Sequence, residues 1–133
     1  MLEGKVAIVT GASSGIGRAT ALLFARKGAA VVVNARGEEA LHVLAAEIEA
    51  NGGRAVAVAG DVGKEDTHKR MVDAAINHFG GLDIALNNAG AVGPYKPLAE
   101  VTLAEWQQTI TTNLTSAFLG AAVQPCCNAA PVP

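Results

Sequence analysis

Very little in this chain could build a disulfide, a metal cage or an aromatic binding face. Its two cysteines, Cys126 and Cys127, are adjacent and near the C-terminus, where they can close no useful loop, so they read as free thiols. His42, His68 and His78 are scattered singly, a pattern that suggests no metal site. The aromatic residues are Phe24, Phe79, Tyr95, Trp106 and Phe118, and the net charge is −2 with no basic cluster. Stacking platforms and cations are both scarce, which argues against a nucleic-acid partner. No apolar run approaches a membrane span, and Met1-Leu2-Glu3-Gly4 leads into a short apolar stretch without the features of a signal peptide. The expectation is a soluble, cytoplasmic protein with no membrane partner.

What is plentiful is apolar residues in short runs, half of the sequence in all, enough for one core. The 133 residues are the length of a single domain, 1–133. The runs alternate with amphipathic segments. An apolar strand ending in Val9-Thr10 precedes a helix over 15–27 stopped by Gly28, then come a strand over 30–35 and a helix over 38–50 with Leu41, Leu44, Ala45 and Ile48 on one face. A third strand over 54–59, a helix over 65–79 with Met71, Val72, Ala75 and Ile76 inward, and a fourth strand over 82–86 follow. Residues 88–100 carry Gly90, Gly93, Pro94 and Pro97 and read as a loop. Thr102 and Glu105 have capping-box spacing, and Leu103, Trp106, Ile110, Leu114 and Phe118 recur at helical steps, so one long helix is expected from Thr102 to about Val123. Right-handed crossovers make this an α/β fold, a Rossmann-type doubly wound parallel sheet ordered 3-2-1-4.

The chemistry concentrates at the first strand-to-helix turn, Thr10-Gly11-Ala12-Ser13-Ser14-Gly15-Ile16-Gly17. Gly11 allows a sharp turn, Gly15 lets an anion approach the backbone, and Gly17 lets the helix lie close. The helix start, with the Ser13 and Ser14 hydroxyls, offers donors to a pyrophosphate. A turn that is merely rich in Gly and Ser fits the same residues. The spacing matches neither the nucleoside-triphosphatase loop nor Gly-x-Gly-x-x-Gly. At the end of the second strand an NAD reader would place an acid, whereas here stands Asn34-Ala35-Arg36. Arg36 could pair with a ribose 2′-phosphate, which favours NADP over NAD, or be a solvated arginine before a helix.

Thr10-Gly11-x-x-x-Gly15-x-Gly17 resembles the cofactor motif of the short-chain dehydrogenase/reductase family, whose members transfer hydride with NAD or NADP. Asp61-Val62 resembles that family's adenine-contacting pair, and Asn87-Asn88-Ala89-Gly90 its Asn-Asn-Ala-Gly signature, with Asn88, Ala89 and Gly90 near the cofactor ribose. Asn113 matches the family's catalytic-helix asparagine, which kinks the helix and holds a water. The resemblance implies a dinucleotide-binding oxidoreductase acting on a small alcohol or carbonyl compound. It also implies a homo-oligomer, because the helix from Thr102 helps form the subunit interface in relatives and the fourth strand would otherwise present an open edge.

The same resemblance implies a Tyr-x-x-x-Lys pair and a Ser that these residues do not supply: Tyr95, the only tyrosine, is followed four residues on by Ala99. From about Ala121 the family pattern is lost, so 121–133 is expected to be a tail foreign to the family, as in a truncated or frameshifted product. Two functions stay open. One is the NADP-binding portion of an oxidoreductase, inactive alone; the other is a non-enzymatic fragment that binds nucleotide weakly and self-associates.

Overall fold

The computed structural model describes residues 1–124. Among these residues four strands and five α-helices follow in the order β1 (Val6–Thr10), α1 (Gly15–Arg26), β2 (Ala30–Ala35), α2 (Glu38–Ala50), β3 (Arg54–Ala59), α3 (Glu65–Phe79), β4 (Ile84–Leu86), α4 (Leu103–Ile110) and α5 (Ser116–Val123). The strands pair in parallel in the order β3-β2-β1-β4, as the sequence pattern predicts.

Continuous apolar runs form β1 and β2 because both faces of the sheet are covered. Ala7, Val9, Val31 and Val33 point to one side, where they join Ala21 of α1 and Leu41, Leu44 and Ile48 of α2. Val6, Ile8, Ala30 and Val32 point to the other, against Met71, Val72 and Ala75 of α3. Side chains alternate across a strand, so one run feeds two cores. Within α3 the inward face is Thr67, His68, Met71, Val72 and Ala75; Ile76, expected inward, lies on the flank and is exposed.

Two elements depart from the pattern. β4 begins at Ile84 rather than Leu82, because the Asp83 carboxylate takes the Val6 N–H (2.8 Å) that a strand carbonyl would otherwise accept, while Leu82 is buried beside α3 residues. The expected single helix over 102–123 is also interrupted. Residues Thr111–Thr115 form a π turn between α4 and α5. Side-chain donors occupy carbonyls around the widened turn, Asn113 Nδ2 that of Thr109 (2.9 Å) and Ser116 Oγ that of Thr112 (2.6 Å). The capping box at Thr102 and Glu105 is formed in both directions. The loop over 88–100 contains one short 3₁₀ turn, Leu98–Glu100.

Candidate functional site

Beyond the carboxyl ends of the strands lies a cleft of about 430 Å³. Its lining gathers Gly11, Ser13 and Ser14 from the first turn, Arg36 after β2, Asp61 and Val62 after β3, and Asn88, Ala89 and Gly90 after β4. Nine residues singled out from sequence therefore share one surface. It is the place where strand order reverses, with α1 and α2 leaving to one side of the sheet and α3 to the other.

The first turn is built by close contact. Gly11 has φ +65°, in the left-handed region, and a Cβ there would stand 2.9 Å from both the Ala89 Cα and Asn88 Nδ2. A Cβ on Gly17 would overlap the Gly11 carbonyl oxygen and lie 2.7 Å from Asn88 Nδ2. Helix α1 is thus seated directly on the turn. Ser14 is its N-cap, extended at φ −158°, and makes no side-chain bond to the helix, which leaves that hydroxyl for a ligand. Gly15 and Ile16 open α1 at the rim, both exposed and outside the cleft lining.

Thr10 is buried beneath the cleft. Its hydroxyl oxygen accepts the main-chain N–H of Asn88 and of Ala89, both at 3.0 Å, and Asn88 Nδ2 returns a bond to the Thr10 carbonyl (3.1 Å). Thr10 and Gly17 hold the site together from below rather than lining it.

Arg36 is exposed and has no hydrogen bond or ion pair among the described residues. Asp61 does not cap α3, whose N-cap is Lys64; one carboxylate oxygen accepts the Gly63 N–H at 2.8 Å. Asn113, on the π turn, grips Ala91 by both main-chain groups, accepting its N–H (3.1 Å) and donating to its carbonyl (2.8 Å). A Cβ on Gly90 would stand 2.8 Å from Asn113 Oδ1, so this asparagine sits directly behind the cleft wall. Further along the same loop, Lys96 pairs with Glu105 of α4 at 2.8 Å. The Lys96 ammonium first, and then the Thr102 N–H, hold the Glu105 carboxyl down to about 2. A depressed carboxyl stays charged, and on the acid side lets its partner go only as pH falls through that value. The loop over 88–100 is therefore fastened to the α4–α5 segment at two points.

Sequence reasoning passed over several lining residues: Asn34, Gly60, Ala91 and Thr112. Asn34 carried a signal, being the one polar residue in the run of β2. It is fully buried, donates to the Val58 (2.8 Å) and Gly60 (3.3 Å) carbonyls of the neighbouring strand's end, and leaves Oδ1 without a partner. Among the described residues no group of His, Cys, Asp and Glu could hold a metal ion, and no helix is long and apolar enough to cross a membrane. Cys126 and Cys127 lie outside the described residues.

Residues 5–125 match the family model described as short chain dehydrogenase. Glucose 1-dehydrogenase 2 of Bacillus subtilis is 43% identical over 125 residues, covering 90% of this chain and 47% of that protein. Cyclohexanol dehydrogenase of an Acinetobacter species is 40% identical over 116 residues, 87% of this chain and 46% of that protein. Among solved structures, a short-chain type dehydrogenase/reductase from Mycobacterium marinum superposes with a TM-score of 0.86 at 41% identity, over 92% of this chain and 49% of its own. A metagenomic short-chain oxidoreductase in complex with NADP gives 0.85 at 38% identity, over 92% and 55%. The chain spans about half the length of the relatives it matches.

Proposed function

This chain belongs to the short-chain dehydrogenase/reductase family, and from that premise we propose that it is the NADP(H)-binding portion of an oxidoreductase that interconverts a small alcohol and its carbonyl compound.

The observation that carries the choice is Arg36, an unpaired guanidinium lining the cleft immediately after β2, where a reader of the bare ribose would present a carboxylate. The residues fit the cofactor in kind. A Cβ at Gly15 would meet nothing within 4 Å, leaving room for a pyrophosphate at the start of α1 beside Ser13 and Ser14. Gly11, Ile16 and Gly17 would shape that turn, with Thr10 tying it to β4. Asp61 and Val62 would receive the adenine ring, and Asn88, Ala89 and Gly90 the second ribose. The bound cofactor would supply or accept a hydride. Asn113, fixed to Ala91, would act from behind that wall in any proton relay.

NADPH should bind more tightly than NADH by ~1.5 kcal/mol, the low end for a charge-assisted contact because Arg36 is exposed. Calorimetric titration with both cofactors checks it. Arg36→Ala should erase the difference; equal affinities in the parent chain would refute the NADP assignment.

We extend the proposal to a cytoplasmic setting and to homo-oligomers. Leu103, Trp106, Leu114 and Phe118 are all more than half exposed along α4 and α5, and among the described residues β4 pairs with β1 alone. Sedimentation at tens of micromolar should show a dimer or larger; a monomer at that concentration would remove this part.

A further inference from the structure

The turn that carries Asp61 and Val62 is held almost carbonyl by carbonyl. Asn34 Nδ2 takes Val58 and Gly60, Arg70 Nη1 takes Ala59 at 3.0 Å, and His68 Nε2 takes Val62 at 2.8 Å. His68 is the donor from the buried face of α3, 1% exposed, and its Nδ1 is buried with no partner among the described residues. A carbonyl can only accept, so Nε2 is the donor and carries a proton in this contact. An apolar side chain could fill that place between α3 and the turn. What the imidazole adds is the single bond to Val62.

We propose that His68 is a positioning residue: through its Nε2–H it pins the Val62 carbonyl and so presets the Asp61–Val62 turn as the adenine-receiving end of the cleft. The inference rests on the cofactor assignment above and adds to it a residue that touches no ligand. The coupling to Asp61 is short. Its carboxylate is bonded to the Gly63 N–H, so a shift of the main chain at Val62 and Gly63 turns the carboxylate with it.

The test starts with the unaltered chain. Nitrogen-15 NMR of the imidazoles should find His68 protonated at Nε2; a ring with Nε2 bare overturns the proposal. His68→Leu then removes the donor and keeps apolar volume, while His68→Gln places an amide donor near the position of Nε2. Affinity for 2′,5′-ADP should fall about tenfold in His68→Leu and return to within roughly threefold in His68→Gln, the range expected when one buried bond is lost. Nicotinamide mononucleotide, which has no adenine, should bind all three alike. Equal loss of both ligands, or no loss of 2′,5′-ADP, overturns the proposal. Should the parent bind no 2′,5′-ADP, the cofactor assignment falls, and amide exchange decides the positioning role alone. Exchange at Gly63 should quicken in His68→Leu, slow again in His68→Gln and leave β1 unchanged; equal rates in all three overturn it.

Discussion

Gly17→Val is expected to unfold the chain or leave it too unstable to bind any nucleotide, with a loss of several kcal/mol. The first added carbon already overlaps the Gly11 carbonyl oxygen and crowds Asn88 Nδ2. Neither neighbour can yield cheaply. Gly11 is main chain, and Asn88 is committed to the Thr10 carbonyl. Overpacking a tight site typically costs ~1–3 kcal/mol, and a clash with main chain exceeds that range because α1 must lift as a body. Two controls separate crowding from glycine content. Gly15→Ala meets no atom within 4 Å but holds φ +55°, so it should cost only ~1–2 kcal/mol from the left-handed conformation. Gly37→Ala has open space and no positive φ and should stay within ~0.5 kcal/mol of the parent. Urea midpoints of the three variants check the order; a Gly17→Val protein as stable as Gly15→Ala would show that α1 is not seated on the turn.

The second large effect is on turnover. The 133-residue chain, even when it binds NADPH, is expected to reduce ketones and aldehydes at no useful rate. Carbonyl reduction, as the family resemblance implies, uses a tyrosine as proton donor with a lysine four residues on, and the only tyrosine here is followed at that distance by Ala99. Tyr95 is also fully exposed on the loop after β4, outside the cleft. General acid catalysis is worth ~10²–10⁴-fold, and the positioning of the substrate adds to that. Asn113 does not replace the acid, since both its polar atoms are already bonded to main chain. NADPH consumption against a carbonyl panel is the measurement, alongside a chimaera carrying the second half of a relative. Turnover by the 133-residue chain that disappears in Asn113→Ala would overturn the expectation, because it would require a proton donor other than the tyrosine that the resemblance implies.

How much of this was legible in the sequence depends on the range of the interactions. β1, α1, β2, α2 and α3 follow from apolar runs, helical spacing and glycine stops, all local signals, and their order fixes the sheet. The late start of β4 was not legible, because it turns on the Asp83 carboxylate meeting Val6 from 77 residues away. Neither was the π turn. Periodicity sees Ile110, Leu114 and Phe118 on one stripe and is blind to Asn113 donating to Thr109 within the same helix. The glycine turn, Arg36, Asp61 and Asn88 to Gly90 were found by motif, and they do converge on one cleft. The same motif includes Thr10, and the fold shows what periodicity could not, that its hydroxyl serves two amides of the β4 exit. His68 had looked like an isolated histidine. Only the fold brings it under Val62.

The bond between Thr10 and Asn88 spans 78 positions of chain, and it locks the turn on which α1 rests. During synthesis at ~5–20 residues per second, the first turn therefore waits several seconds for the residue that fixes it. β1, β2 and their helices can associate meanwhile through nearer contacts, but the nucleotide cleft has to be among the last parts completed. Such distant pairings slow folding, since the loop must close before its contacts reward it. In the interval β1 presents an unpaired apolar flank along the side that β4 will take. A chain stalled before Asn88 emerges would carry that flank exposed, and chaperone capture of nascent chains should peak at those lengths.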